Sequence, residues 1–282
     1  MSLNFSRRVV RLARSLCRRP APRPAAPRRF WPAVLCLEER ALLSTLTVTN
    51  TLDSGKGSLR YEIAHARKNA IIEFAPSLSG QTITLTSGEL DITTGLTIQG
   101  PGAGQLTISG GKNSRVFDVN ASAAVVLSGL TISNGVAHDR TGVHDGDGGG
   151  LLNLSTLTLS GCVVSGNSVG EIIGLNFGGG IYNAGTLTLT GCTISNNSAL
   201  GTFYTPGGVG GGIYNAGTLT VSTSTVSGNA AYDGYYGGGI YNAGTLTVST
   251  STFNSNWIDP NGTYIENNIY GTYTDGGGNT FS

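Results

Sequence analysis

The sequence predicts an all-β fold, a single-stranded right-handed parallel β-helix (a solenoid), over residues 45–282. Three observations predict it. The chain has 44 glycines in 282 residues, and they do not recur every third residue as in collagen. Charged residues make up only 12% of the chain, while the 39% of hydrophobic residues are regularly placed, which excludes a disordered body. Four segments of the second half repeat one another without gaps, as the coils of a solenoid do.

The regular repeats occupy residues 148–256 and have 20 residues each, separated by inserts of 10, 12 and 7 residues. Within each repeat, Leu or Val alternates with Thr, which predicts short strands and not a helix. Because strands this short cannot bury their apolar faces alone, we expect equivalent strands to stack in register. The repeats are GGGLLNLSTLTLSGCVVSGN (148–167), GGGIYNAGTLTLTGCTISNN (178–197), GGGIYNAGTLTVSTSTVSGN (210–229) and GGGIYNAGTLTVSTSTFNSN (237–256).

Two columns of asparagine are predicted to be structural ladders. Equivalent residues of stacked coils lie about 4.8 Å apart, a spacing at which side-chain amides hydrogen-bond along the stack. Asparagine also tolerates the left-handed backbone of tight corners, and the glycine triplets permit sharp turns between sheets. The columns are Asn153, Asn183, Asn215 and Asn242, and Asn167, Asn197, Asn229 and Asn256.

Two further columns of the repeat are predicted from strand alternation. The first lies inside the solenoid, where its cysteines are expected to be free thiols, since parallel Cβ vectors make a disulfide torsion awkward. The second lies outside, where stacked rings are expected to form a structural ladder. The inward column is Cys162, Cys192, Ser224 and Ser251, and the outward column is Tyr182, Tyr214 and Tyr241.

Elements on either side of the regular repeats complete the predicted solenoid. Residues 71–135 alternate less regularly and are predicted to form degenerate coils, and residues 257–282 a C-terminal coil. A short capping helix is predicted near residues 58–69, with Ser58 as its N-cap and apolar residues at helical spacing. We expect this helix to cover the N-terminal end of the solenoid, whose strand edges would otherwise be exposed.

Residues 1–44 are predicted to be a basic, Pro-rich leader for export or targeting, largely disordered. They carry ten arginines against only Glu38 and Glu39, and the prolines from Pro20 to Pro27 prevent a helix. The alternative is a basic tail that contacts membrane or nucleic acid non-specifically; we favour export because the body has an extracellular character. No stretch of 18 apolar residues occurs, so no transmembrane segment is predicted.

The charge of the body limits its partners. Residues 45–282 carry seven basic against 14 acidic residues, and no Lys or Arg follows Arg140. Since binding to a phosphate backbone depends on Lys and Arg, we expect no nucleic-acid partner for the body.

Catalytic groups are few in the sequence. The span 148–256 has no Lys, Arg or His, and its only acids are Glu171 and Asp233, both in inserts. Upstream basic residues have no recognisable carboxylate cluster beside them in the sequence: Lys56, Lys68, Lys112 and Arg115. A polysaccharide lyase needs a base, and a glycoside hydrolase needs paired carboxylates on one face. We therefore assign no catalytic residues and favour a protein that is not an enzyme, with such a carbohydrate-active β-helix enzyme as the alternative.

The densest polar cluster is the segment HDRTGVHDGD at 138–147. Its Asp145-Gly-Asp147-Gly sequence is similar to part of a calcium loop, but the closing Glu of an EF-hand is missing. We favour a solvated insert, and predict no metal and no cofactor. The residues concerned are His138, Asp139, Arg140, His144, Asp145 and Asp147.

Four segments resemble bacterial surface proteins. GGGIYN (237–242) and FNSN (253–256) resemble the GG-[AI]-I and F-x-x-N repeats of polymorphic outer membrane proteins, although the earlier repeats have Val or Ile in place of Phe. TVTNTLDSGKGSLRYEIAHA (47–66) resembles the C/G-S-L-R-x-A-I segment that opens many bacterial β-helix surface proteins, with Glu62 in place of the usual Ala. LEERALLS (37–44) resembles an LE-x-R-x-LL-S motif before the mature domain of bacterial secreted proteins. The resemblance implies surface exposure and often adhesion.

We therefore expect a secreted or cell-surface protein with a structural or adhesive role. Constant register predicts that the three inserts emerge on one side and form an aromatic ridge with almost no charge, suited to surface glycans or other surface proteins. The equally favoured alternative is that each loop packs on its neighbour. The ridge residues are Phe177, Phe203, Tyr204, Tyr232, Tyr235 and Tyr236.

Overall fold

The computed structural model describes residues 44–138, 146–170, 176–201, 207–233 and 236–282. These residues form a parallel β-solenoid of about seven stacked turns, with one α-helix among them. The structure therefore confirms the predicted parallel β-helix. The predicted leader lies outside the described residues, apart from Ser44 at its end.

Four long sheets run along the solenoid, and a regular turn of the chain passes through sheets C, A, B and D in that order. Sheet A contains Thr45–Val48, Ala70–Phe74, Leu96–Gln99, Val125–Ser128, Thr156–Ser160, Thr186–Thr190, Thr218–Ser222, Thr245–Ser249 and Thr274–Asp275. Sheet B contains Gln81–Thr84, Leu106–Ser109, Thr131–Ser133, Val163–Ser165, Thr193–Ser195, Thr225–Ser227, Thr252–Asn254 and Thr280–Phe281.

Sheets C and D complete each turn. Sheet C contains Leu90–Ile92, Phe117–Val119, Leu151–Asn153, Ile181–Asn183, Ile213–Asn215, Ile240–Asn242 and Ile269–Tyr270. Sheet D contains Val136–Ala137, Ser168–Val169, Ser198–Ala199, Ala230–Tyr232, Trp257–Asp259 and Ile265–Glu266. A small fifth sheet pairs Asn176–Phe177 with Gly208–Val209, and 3₁₀ turns lie at Pro76–Leu78 and Pro260–Gly262.

The core is built from columns of identical or similar side chains. Leu157 pairs in parallel with Leu187, Leu187 pairs with Leu219, and Leu219 pairs with Leu246, each in the following coil. All four are buried, because alternation along each strand turns Leu inward and Thr outward. The predicted strand period is therefore confirmed, and apolar burial along these columns is the main stabilising force.

The glycine triplets form the corners that lead into sheet C. The first glycine of each triplet has a positive φ, of 65°, 69°, 70° and 67° at Gly148, Gly178, Gly210 and Gly237. The second glycine lies against neighbouring backbone, since a Cβ added at Gly211 would lie 2.3 Å from the Ala230 carbonyl oxygen. The triplets therefore serve both the turn and the close approach of stacked chains.

The left-handed corner residue is not the ladder asparagine, contrary to the expectation from sequence. The corner between sheets B and D adopts positive φ one residue earlier, at Gly166, Asn196, Gly228 and Ser255. None of the eight ladder asparagines has a positive φ. Their side chains point inward and are buried, so the sharp turn is made beside them and not by them.

The helix comprises Leu59–His65 and is shorter than the predicted 58–69. Ser58 is the N-cap, since its side chain accepts a hydrogen bond from the Tyr61 backbone N–H. Leu59 and Ile63 are buried in the core of the first coils, as expected for a capping helix. The helix ends at His65 because Ala66 is extended, with ψ 130°, and its backbone N–H caps the helix by donating to the Ile63 carbonyl oxygen. Asn69, with a left-handed φ of 64°, then donates its N–H to the Gly95 carbonyl oxygen just before the next strand of sheet A.

The degenerate coils and the C-terminal coil are present, with one departure from parallel pairing. Gly129, at φ 59°, divides the predicted strand 125–133 between sheets A and B. Near the C-terminal end, Ile265–Glu266 pairs antiparallel with Trp257–Asp259 and forms a hairpin beside the stack. Within the described ranges, no helix has the length and apolar character needed to cross a membrane.

Candidate functional site

A carboxylate cluster lies on the outer side of sheet C in the degenerate coils. Glu89, Asp91 and Asp118 each place one carboxylate oxygen within 4.8 Å of the others. Asp91 lies directly opposite Asp118, because their strands pair in parallel register. Arg115 donates from Nη1 to Glu89 Oε2 over 2.7 Å. The expectation that no carboxylate cluster accompanies Arg115 is therefore wrong.

Register brings together residues that are distant in the chain, which explains why the sequence did not reveal the cluster. The pattern LDI at 90–92 and the pattern FDV at 117–119 each place an acid between two inward apolar residues. A sequence alignment of these two short strands would have placed Asp91 opposite Asp118. The unequal lengths of the degenerate coils hide that alignment.

Arg115 joins the degenerate coils to the first regular coil. Its Nε donates to the carbonyl oxygens of Asp147 and Gly148 at 3.0 and 3.1 Å, and its side chain is only 5% exposed. A cavity of about 120 Å³ adjoins it, and Glu89, Ser114 and His138 also line this cavity. The cavity is large enough for water or an ion.

Of the polar cluster predicted at 138–147, the structure describes His138 and Asp147. His138 lines the cavity beside Arg115, and the Asp147 carbonyl accepts from the Arg115 guanidinium. The other members lie outside the described residues: Asp139, Arg140, His144 and Asp145.

The carboxylate cluster has two chemical capacities. Closely placed carboxylates on one face suit general acid and nucleophile roles in glycoside hydrolysis, for which retaining enzymes use separations of about 5 Å. Three carboxylate oxygens at this spacing also suit a hard divalent cation such as Ca²⁺. Arg115 offsets part of the repulsion among the three acids.

The predicted tyrosine column continues the same outer face of sheet C. In parallel register, Asp118 is followed by Leu152, and then by four stacked tyrosines. The ring centroids lie 5.2, 5.1 and 5.3 Å apart, with interplanar angles of 7°, 6° and 12°. Burial, with nearby Asp147 and Tyr214, raises the pKa of Tyr182 to about 12. The stack is Tyr182, Tyr214, Tyr241 and Tyr270.

Two members of the predicted aromatic ridge pack against this tyrosine stack. Phe177 lies 4.5 Å from Tyr214, and Tyr236 lies 4.5 Å from Tyr270, measured between ring centroids. Tyr232 instead meets Trp257 edge to face at 4.7 Å, in sheet D. The remaining ridge residues, Phe203, Tyr204 and Tyr235, lie outside the described residues. The three described rings thus fall into two separate aromatic groups.

The stems of the three inserts are stacked. Ser168–Val169 pairs with Ser198–Ala199, and Ser198–Ala199 pairs with Ala230–Tyr232, so the chain enters each insert from equivalent positions of sheet D. On the return side, Phe177 pairs with Val209, and Val209 bridges to Tyr236. All three inserts are therefore anchored along one line of the solenoid, as constant register predicts.

Both asparagine columns are continuous hydrogen-bonded ladders in the interior. In the first, each Nδ2 donates to the Oδ1 of the next coil at 2.7, 2.7 and 2.6 Å, from Asn153 to Asn242. In the second, the distances are 3.0, 2.9 and 2.8 Å from Asn167 to Asn256, and the ladder continues to Asn268 at 2.8 Å. The side-chain amides of both columns therefore serve a structural role, through hydrogen bonds inside the solenoid.

The inward cysteines are free thiols, as predicted. Cys162 and Cys192 donate from Sγ to the Leu127 and Leu159 carbonyl oxygens at 3.4 and 3.3 Å. Burial raises the pKa of Cys162 to about 11 and also raises that of Cys192. Further along the column, Ser224 Oγ accepts the backbone N–H of Cys192 at 3.0 Å. These thiols are neutral packing groups and not nucleophiles.

Comparisons of the chain with known protein families, with curated proteins and with solved structures found no significant match.

Proposed function

We propose that the chain is a secreted or cell-surface β-helix without enzymatic activity, with a structural or adhesive role. The observation that carries this proposal is the stacking of the three insert stems along one line of the solenoid. A rigid scaffold with loops in fixed register is suited to presenting an extended contact surface.

The scaffold itself supports a non-catalytic role. In the regular coils, the amides lie in ladders, the thiols are neutral, and the tyrosines stack on one another. The outward columns of sheet A in these coils are Thr and Ser, without charge. Such a surface can make contacts with a partner but has few groups for acid–base catalysis.

The experiment compares the full chain with a variant in which the central residues of the three inserts, 171–175, 202–206 and 234–235, are replaced by Gly and Ser at equal length. Both are applied to an immobilised panel of neutral surface glycans and bacterial surface proteins. We expect the parent to bind and the variant to bind at least about tenfold more weakly, with an unchanged melting temperature. A control variant changes the exposed Thr218 and Thr245 to Ser. No binding by the parent, or equal binding by the insert variant, would refute the adhesive role of the inserts and leave the structural role.

The second candidate function is a carbohydrate-active enzyme, and the cluster of Glu89, Asp91 and Asp118 favours it. Its test incubates the full chain with a panel of polysaccharides and measures released reducing or unsaturated ends. If the cluster is catalytic, Asp118→Asn lowers product release by 100-fold or more, on the order of what one catalytic carboxylate contributes. The exposed Asp275→Asn serves as the control. Product release that follows this pattern would replace the non-enzymatic proposal.

A further inference from the structure

The C-terminal hairpin builds a cleft outside the insert ridge and outside the carboxylate cluster. The cleft is shallow and widely open to solvent, with a volume of about 660 Å³. Trp257, Tyr264 and Glu266 line one side, and Asn196 and Ser255 line the other.

The aromatic side of the cleft is fixed by the one departure from parallel pairing in the described chain. Antiparallel pairing of the hairpin places Glu266 opposite Trp257. The Tyr264 ring meets the indole at 4.6 Å and 82°, and Tyr232 meets the same indole at 4.7 Å and 85°. Two perpendicular neighbours hold the Trp257 ring in a defined orientation, while Tyr264 remains 68% exposed.

The polar side of the cleft is the corner column between sheets B and D. Gly228 lies between Asn196 and Ser255 in that column, and the amide oxygen of Asn196 lies over it, 2.7 Å from where a Cβ would stand. The amide of Asn196 and the hydroxyl of Ser255 supply both hydrogen-bond donors and acceptors. On the aromatic side, Glu266 accepts a 3.2 Å hydrogen bond from Asn268, which steadies its carboxylate.

We propose that this cleft binds a neutral sugar unit of a surface glycan, through stacking on Trp257 and Tyr264 and hydrogen bonds to Asn196 and Glu266. Aromatic faces beside amide, hydroxyl and carboxylate groups match the apolar faces and hydroxyls of a sugar ring. The absence of Lys and Arg after Arg140 leaves no partner for an acidic sugar, and Glu266 repels one.

A quaternary ammonium group is the competing ligand, because aromatic rings beside a carboxylate also bind such cations. That ligand makes no use of Asn196 and Ser255, since it neither donates nor accepts hydrogen bonds. The polar wall therefore favours the sugar. This inference deepens the proposed adhesive role and rests on it, by naming a ligand class at a site away from the inserts.

The test uses tryptophan fluorescence of the full chain in a Trp31→Phe background, which leaves Trp257 as the single tryptophan. The probes are neutral oligosaccharides of glucose, galactose, mannose and N-acetylglucosamine, with oligogalacturonate and choline as comparison ligands. We expect at least one neutral oligosaccharide to shift the fluorescence and the comparison ligands to have no effect.

Variants locate the binding. Tyr264→Ala is expected to weaken sugar binding about tenfold and Glu266→Gln several-fold, without loss of melting temperature. Tyr273→Ala, which removes an exposed ring outside the cleft, is the matched control and is expected to bind as the parent does. No response to any neutral oligosaccharide, a response unchanged by Tyr264→Ala, or a response to choline alone would overturn the proposal.

The insert variant separates the two proposals. If the cleft is the sugar site, the variant with replaced inserts still shows the fluorescence response. If that variant keeps the fluorescence response and also binds the panel as the parent does, the insert ridge is rejected as a contact surface and the cleft is supported as the sugar site. Panel binding that depends on the inserts, together with no fluorescence response, would reject the cleft alone.

Discussion

The N-terminal region, residues 44–138, contains the helix and the degenerate coils. It and the regular coils, residues 148–256, are stabilised by different side chains. In the described regular coils, the same residues recur at each level, and buried amides and glycines fill the corners. The N-terminal region holds the ion pairs of Arg60 with Asp53 and of Arg115 with Glu89, each at 2.8 Å or less. It also holds the carboxylate cluster.

This difference separates the regular coils, which serve as a scaffold, from the region that carries the reactive groups. In a column that repeats at every level, one residue type packs best against its neighbours above and below. Substitution in such a column lowers the stability, and reactive side chains are therefore rare there. Coils that do not repeat can carry charged residues. Their stability then depends on interactions that vary with pH and salt. Each of the following predictions tests whether the two regions differ in this way.

The largest effect is expected at the stacked glycines of the regular coils. In Gly211→Ala, the added Cβ would lie 2.3 Å from the Ala230 carbonyl oxygen and 2.4 Å from the carbonyl carbon. The backbone of Ala230 cannot move away far enough to relieve both contacts. We expect a loss of about 3 kcal/mol or more in the free energy of unfolding, measured by denaturant titration. Gly161→Ala is the control: its φ is +57° but no atom lies within 4 Å, so about 1–2 kcal/mol is expected. Equal losses for the two variants would show that close stacking is not the constraint.

The second effect is expected in the buried asparagine ladder. Asn197 donates to Val164 O and Asn229 Oδ1, and its Oδ1 accepts from the Asn167 backbone and side chain. Asn197→Ala leaves these buried partners unsatisfied, and we expect roughly 3 kcal/mol of destabilisation in thermal or denaturant unfolding.

The exposed Thr218→Ala is the control for the ladder variant, and its effect is expected to stay within about 0.5 kcal/mol. A ladder variant as stable as this control would mean that the amides contribute no more than surface groups do.

An acid-dependent effect is expected only in the N-terminal region, residues 44–138. Burial alone would raise the pKa of Asp53, but hydrogen bonds from Ser87 and Arg60 outweigh it and lower the pKa to about 2. Because this pKa is depressed on folding, its stabilisation is present above about pH 4 and is lost as the pH falls toward 2.

Hydrogen exchange resolved by segment checks this difference. We expect protection of residues 45–90 to fall by roughly 1–2 kcal/mol between pH 5 and 2, while protection of residues 151–256 changes little. In Asp53→Asn, the acid-dependent part should disappear. Loss of protection in both regions together at the same pH would contradict the distinction.

The smallest effect is expected at the cysteine column. In Cys192→Ser, the new hydroxyl occupies the position that Ser224 and Ser251 hold in the next coils, where each accepts a backbone N–H at 3.0 and 3.1 Å. We therefore expect a change below about 1 kcal/mol in unfolding free energy. Cys192→Leu, which overfills the same site, is the control and should cost about 1–3 kcal/mol. A severe loss in Cys192→Ser would show that sulfur packing matters more than the shared corner geometry.

The sequence by itself determined the parallel β-helix, the strands of the regular coils, the two asparagine columns and the inward position of Cys162 and Cys192. These were predictable because identical residues at a constant repeat can stack in only one register, and register then decides which side chains meet. The anchoring of the inserts along one line follows from the same constancy.

Only the tertiary structure decided the contacts of the irregular parts. Asp91 meets Asp118 because two coils of unequal composition align there, and Trp257 meets Tyr264 because a hairpin leaves the stack. Asn69, four residues beyond the helix end at His65, bonds to Gly95 in the next coil. In each case the deciding interaction joins residues whose spacing has no repeat, so the local sequence carries no signal of the partner.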